Sequence, residues 1–216
     1  MSIPFEVGIG ILVVAFCSYL LGSISWSVII SKIFYHKDVR DFGSGNAGMT
    51  NVLRTFGKNA AFAVTIGDFA KSIITVAISR AVFGNLFGDL WFDIGYIAGI
   101  FTILGHMFPL YFHFKGGKGV LTALGMVLVI DWKVFLIVLL IAIPVLFISK
   151  IVSVASLTGA VLYPVVTYIV LYLSGKPAFV DTVCACAIAL IVVYMHRENI
   201  KRLLSGTEYK FSRTKN

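Results

Sequence analysis

Residues 105–122 read GHMFPLYFHFKGGKGVLT: an apolar, aromatic-rich run enters Lys115, Gly116, Gly117, Lys118 and Gly119 and leaves into a second apolar run. Hydrophobic segments on both sides place this connector at a membrane surface. Its composition suits an anion. Glycines leave backbone N–H groups unshielded and tolerate the positive φ angles of a concave nest of donors, while two lysines supply charge.

The rest of the chain agrees with a membrane setting. With 59% hydrophobic residues, 13% charged residues and a mean hydropathy of +0.96, 216 residues are too apolar for a soluble domain. The start, Met-Ser-Ile-Pro-Phe-Glu, has no basic residue before Lys32 and no small-residue cleavage pattern, so the first apolar run is expected to stay as a helix. Cys17, Cys184 and Cys186 all sit in apolar runs and read as small buried thiols, with neither a disulfide framework nor a metal site expected. A net charge of +8 raises the question of nucleic acid. The basic residues are scattered in short loops between spans, however, and membrane topology accounts for them better.

Seven apolar spans follow from the pattern: residues 7–30, 60–79, 92–112, 120–130, 134–148, 157–173 and 180–195. The expected fold is therefore all-α, a polytopic membrane protein with seven transmembrane helices forming a single domain over 1–216. The fourth span is short, since eleven helical residues rise about 16 Å against a hydrocarbon core of about 30 Å. Either its helix begins back in the glycine loop or that loop dips into the membrane. Pro144 and Pro164 fall inside two later spans.

Fourteen lysines and arginines fall on one side of this topology, in residues 31–59, at Lys115, Lys118 and Lys150, and in a tail that includes Arg213 and Lys215. Only Arg80, Lys133 and Lys176 fall on the other. The positive-inside rule then puts the N-terminus outside and the C-terminus in the cytoplasm. Four polar segments, 43–54, the glycine loop, 153–156 and 196–202, come out on the cytoplasmic face, which allows one site there.

Each segment has a plain reading and a chemical one. Gly43-Ser-Gly-Asn-Ala-Gly-Met-Thr-Asn51 formally matches GxGxxG, but no βαβ unit is available, so a dinucleotide fold is excluded. It is either a flexible loop or a phosphate site in which Arg54 clamps an oxyanion and Ser44, Asn46, Thr50 and Asn51 donate. Gly116-Gly-Lys-Gly119 lacks the spacing of a Walker A loop and is read as an anion site rather than a plain turn. His36 and Asp41 form an H-x4-D spacing used by some acyltransferases, taken here as coincidental in a solvated connector. Asp68 and Lys71, one helix turn apart, suggest a self-neutralising pair behind the site. His106 is expected to bond a neighbouring helix. Ser156 suits a helix N-cap, with Ser153 beside it. His196 and Asn199 share a helix face where the cytoplasmic loops gather. Arg197, Lys201 and Arg202 suit anionic lipid headgroups. No carboxylate pair, metal cluster or Ser-His-Asp set accompanies these groups, so positioning around a phosphate leaving group is the chemistry they suit.

In order and spacing, GSGNAGMTNVLRTFG, GHMFPLYFHFKGGKGVLT, SVASL and HRENIKRLLSGTE closely resemble the motifs of the bacterial acyl-phosphate:glycerol-3-phosphate acyltransferases, the PlsY family. The resemblance spans nearly the whole chain. It implies transfer of a fatty acyl group from acyl phosphate to the sn-1 hydroxyl of glycerol 3-phosphate, giving lysophosphatidic acid and phosphate in a bacterial inner membrane. The site would lie on the cytoplasmic side and need no cofactor or metal. Implied catalytic residues are Ser44, Arg54, Lys118, His196 and Asn199. Implied substrate contacts are Asn46, Thr50, Asn51, Lys115, Gly116, Gly117, Gly119, Ser153 and Ser156. Expected partners are the two substrates, membrane lipids and the soluble enzyme that makes acyl phosphate. Nucleic acid is not expected. The rival class is a transporter of a phosphorylated small molecule, which predicts access from both faces. A lipid-binding structural subunit would leave Arg54 and the glycine loop without a role.

Overall fold

The computed structural model describes residues 4–88 and 90–210. Met1, Ser2 and Ile3, and the tail cations Arg213 and Lys215, lie outside the described residues. Among the described residues every regular element is helical. The chain divides into two compact units, Met1–Ile130 and Asp131–Asn216.

The first unit holds α1 (Phe5–Gly22), α2 (Trp26–Tyr35), α3 (Met49–Phe56), α4 (Lys58–Phe87), α5 (Ile94–Met107) and α6 (Val120–Ile130). Here α1 packs along α5, and α4 packs on α5 and α6. Small residues let backbones approach: a Cβ on Gly22 would overlap the backbone of Thr102, and one on Gly105 would overlap the carbonyl of Tyr19. The second unit holds α7 (Trp132–Ser149), α8 (Val152–Leu173), α9 (Phe179–Met195) and α10 (Arg197–Leu204). There α8 packs against both α7 and α9. Helices α7 and α8 run through Pro144 and Pro164.

Leu12, Phe16, Phe62, Leu140, Phe147 and Leu190 stand exposed on these helices, the outward apolar faces a lipid environment requires. Among the described residues, five helical segments are long and apolar enough to cross a membrane: Phe5–Tyr35, Lys58–Phe87, Ile94–Phe112, Trp132–Ser149 and Val152–Leu173. Phe179–Met195 with Arg197–Leu204, bent by 59°, makes a sixth if the pair is one span. The protein is thus a multi-pass membrane protein.

Several boundaries differ from the sequence reading. The first apolar run is not one helix. It breaks at Ser23, whose hydroxyl and amide both donate to the Tyr19 carbonyl, and Ser25 is extended. Helix α4 runs to Phe87, and α8 begins at Val152 rather than at residue 157. The helix over Val120–Ile130 is indeed 11 residues long and does not reach back into the glycine loop. Cys17 and Cys186 are exposed and Cys184 is half-buried, so the thiols are not core residues; they lie on outward helix faces.

Candidate functional site

In the first unit, the segment from the end of α2 to α3 is folded by two polar residues. Asp38 grips Arg40 with both carboxylate oxygens, accepting from Nε at 2.9 Å and Nη2 at 2.7 Å. The Arg40 guanidinium beside Asp38 holds that carboxyl well below the usual carboxylate range, and Asp38 in turn raises Arg40. The remaining Arg40 nitrogen, Nη1, crosses to the glycine loop and donates to the carbonyls of Phe112 (2.7 Å) and Lys115 (3.3 Å).

Asn51 is the second organiser. It is fully buried in the first turn of α3. Its Oδ1 accepts from the amide of Ser44 at 3.1 Å, and its Nδ2 donates to the carbonyls of Val39 and Phe42 at 3.0 and 2.9 Å. An amide so occupied shapes the loop. Gly43 and Gly45 take φ of +58° and +68°, which only glycine adopts cheaply. Ser44 stays exposed, and Asn46 and Thr50 are half-buried. Arg54 is exposed in the last turn of α3.

The glycine loop sits on the end of α5 and leads straight into the N-terminus of α6, whose first amides point back at it. Gly116 donates its amide to Met107 O at 3.2 Å and Gly117 to His106 O at 3.1 Å. Ala47 then donates to Gly116 O at 3.3 Å, which joins the Gly43–Gly48 turn to the glycine loop. The glycines are needed for a different reason than the sequence suggested. Only Gly119 has a positive φ, +78°. Gly116 and Gly117 are required because a Cβ would overlap the His106 carbonyl in the first case and the His106 ring in the second. Lys115 is exposed and Lys118 half-buried.

Behind the loop lie Asp68, Lys71 and His106, all buried. Lys71 Nζ is 3.0 Å from Asp68 Oδ1 and 3.0 Å from His106 Nδ1, and it donates to the carbonyls of Gly22 (3.0 Å) and Ile24 (2.8 Å). His106 does bond a neighbouring helix, through Lys71.

In the second unit the organiser is Glu208, which the sequence reading gave no role. Its Oε1 accepts from Asn199 Nδ2 at 2.6 Å and from Ser153 Oγ at 2.9 Å, and its Oε2 accepts from Arg202 Nε at 2.7 Å. Burial raises the carboxyl, but the bonds from Asn199, Arg202 and Ser153 outweigh it and hold Glu208 below its ordinary value. Arg202 is therefore an internal partner of a carboxylate as well as a basic surface residue. His196 is buried at the bend between α9 and α10, with Nδ1 2.8 Å from the Val192 carbonyl. Since a carbonyl only accepts, Nδ1 carries a proton and donates there. Glu198 is exposed and pairs with Lys201 at 3.1 Å. Ser156 is not an N-cap: α8 starts at Val152, and the Ser156 hydroxyl donates to the Val152 carbonyl at 3.0 Å. His36 and Asp41 show no mutual bond among the contacts described; His36 caps the end of α2 with φ of 53°.

The chain matches a family model described as glycerol-3-phosphate acyltransferase over residues 12–206. A glycerol-3-phosphate acyltransferase of Coxiella burnetii (strain RSA 493 / Nine Mile phase I) is 42% identical over 193 residues, covering 89% of this chain and 94% of the relative. One from Bacillus cereus (strain G9842) is 38% identical over 193 residues, covering 89% and 91%. Among solved structures, the glycerol 3-phosphate form of PlsY (YgiH), an integral membrane glycerol 3-phosphate acyltransferase, superposes with a TM-score of 0.81 at 37% identity, covering 94% of this chain and 96% of that one. The lysophosphatidic acid form gives a TM-score of 0.78 at 37% identity, covering 94% and 95%.

Proposed function

The chain belongs to the glycerol-3-phosphate acyltransferase family, and from that premise we propose that it uses acyl phosphate as donor and releases lysophosphatidic acid and inorganic phosphate. The observation that carries the donor is the glycine loop. Its backbone is tied by Arg40 at Phe112 and Lys115 and by Ala47 at Gly116, it opens at the N-terminus of α6, and it bears Lys115 and Lys118. Such a cradle suits the phosphate of an acyl phosphate, an anhydride already activated for transfer.

Arg54, His196 and Asn199 are assigned to glycerol 3-phosphate, with Ser153 and Glu208 fixing Asn199. Ser44, Asn46 and Thr50 are assigned as neutral donors to substrate oxygens, and Ser156 as a lining hydroxyl. The sn-1 hydroxyl attacks the acyl carbonyl and a new C–O ester bond forms. The C–O bond to phosphate then breaks, and the departing phosphate takes the hydroxyl proton. Holding the hydroxyl against the carbonyl carbon supplies the rate enhancement, and lysine and the first N–H groups of α6 stabilise charge on the leaving phosphate.

In this reading the whole chain, residues 1–216, acts as one domain of a bacterial inner membrane. It crosses seven times, with the N-terminus outside and the reaction on the cytoplasmic side, where a soluble acyl-phosphate-forming enzyme can deliver the donor. The stoichiometry tests the chemistry. Purified protein in lipid, given palmitoyl phosphate and glycerol 3-phosphate, should release one inorganic phosphate per lysophosphatidic acid formed; ester formation without phosphate release would overturn the reading.

A further inference from the structure

The Asp68, Lys71 and His106 cluster is expensive. Three ionisable side chains lie at membrane depth in α4 and α5, and none is among the groups assigned to substrate. A buried ionic cluster is a poor way to gain stability alone, because desolvation offsets most of the attraction. What it supplies is a fixed arrangement.

Lys71 caps the break in the first apolar run, donating to the carbonyls of Gly22 and Ile24, which the interrupted helix leaves without partners. Its third proton has two neighbours within reach, Asp68 Oδ1 and His106 Nδ1, each 3.0 Å away, and Asp68 Oδ1 is itself 3.4 Å from the same ring nitrogen. The other ring nitrogen is Nε2. That atom faces Gly117 so closely that a Cβ there would overlap it. The same residue's carbonyl accepts the Gly117 amide. His106 therefore forms the floor of the glycine loop with both its ring and its backbone.

We propose that His106, held in orientation by Lys71 and Asp68, is the positioning residue that sets the shape of the glycine loop and hence its affinity for acyl phosphate. This rests on the loop being the acyl-phosphate cradle. His106→Asn keeps an acceptor near Lys71 but empties the space beneath Gly117, and Lys71→Gln leaves the ring in place but no longer held by an ammonium.

The test is steady-state kinetics of purified protein in lipid with palmitoyl phosphate and glycerol 3-phosphate, for His106→Asn, Lys71→Gln, Gly117→Ala and the double variant His106→Asn/Gly117→Ala. Each single variant should raise the KM for palmitoyl phosphate about tenfold while the KM for glycerol 3-phosphate stays within about twofold. In the His106→Asn background, Gly117→Ala should cost clearly less than in the wild type, because the ring it collides with is gone and only the Ala47 carbonyl, 2.8 Å from the added carbon, remains in its way. If Gly117→Ala leaves the palmitoyl phosphate KM unchanged in the wild-type background, the cradle reading itself fails. If Gly117→Ala raises it while His106→Asn does not, or if the two penalties simply multiply, the cradle stands and the role of His106 is overturned. Loss of affinity for both substrates alike in His106→Asn and Lys71→Gln would reduce the cluster to general support of the fold and overturn the proposal as well.

Discussion

Glu208 Oε1 lies 2.6 Å from Asn199 Nδ2, so the amide oxygen of Asn199 is turned to the opposite side from the carboxylate. The same oxygen holds Ser153 across more than fifty residues of sequence, and Arg202 closes the other end. One carboxylate near the end of the described chain thus fixes three side chains on two helices. Glu208→Gln loses the charge-assisted bond to Arg202 and sets an NH2 group against one of three donors. It should lower kcat/KM for glycerol 3-phosphate by about tenfold or more, given roughly 1.5–3 kcal/mol for a hydrogen bond to a charged group. Kinetics at fixed palmitoyl phosphate would show it.

The same carboxylate gives a pH dependence. Its folded-state value lies below the unfolded one, so the unfolded chain binds more protons and stability rises with pH through that interval. The contribution is complete above the unfolded value near 4.3 and is lost as pH falls through the folded value. Asp38, held low by Arg40, acts with the same sign. The melting temperature in detergent should therefore be flat from about pH 7 to about pH 5 and fall below that, with a smaller acid loss in Glu208→Gln.

Asn51 is tested by two substitutions that differ in a telling way. Asn51→Ala removes three hydrogen bonds at once, at about 0.5–1.5 kcal/mol for each, while the Val39 and Phe42 carbonyls keep their backbone donors Phe42 and Gly45. Asn51→Asp restores the acceptor for Ser44 but points a carboxylate at two carbonyls. It should be at least as unstable as Asn51→Ala in thermal unfolding, whereas a residue acting mainly through a donated bond to substrate would lose activity without losing stability.

Arg40 reaches Asp38 and two loop carbonyls at once through a planar fork that lysine lacks. Arg40→Lys should therefore raise the KM for palmitoyl phosphate nearly as much as Arg40→Ala, by about tenfold, with little change for glycerol 3-phosphate.

His196→Gln addresses proton transfer. With the leaving phosphate as acceptor, this variant should keep most of kcat and lose mainly affinity for glycerol 3-phosphate; a fall of about a hundredfold or more in kcat would make the ring the base instead.

The apolar runs were legible because hydropathy is a local property, and all seven prove helical at their centres. The glycine loop and the polar residues around it were legible from composition. The break at Ser23 to Ser25 was not. Those residues sit inside an apolar run, and what interrupts the helix is tertiary: Gly22 packed on Thr102 and Lys71 donating to the exposed carbonyls. Asn51, Arg40 and Glu208 went unread as organisers for the same reason, since their partners lie 2 to 75 residues away and no spacing rule links them. Ser156 misled because a serine near a helix start suits a cap, and here the helix begins a turn earlier.

The donor is the central claim, and one experiment addresses it directly. Purified protein in lipid receives labelled glycerol 3-phosphate with palmitoyl phosphate in one reaction and palmitoyl-CoA in another, and labelled lysophosphatidic acid is measured. Product with palmitoyl phosphate alone is the expected result. Product only with palmitoyl-CoA would contradict the account and bring His36 and Asp41 back into consideration, and no product with either donor would favour a transporter of phosphorylated solutes.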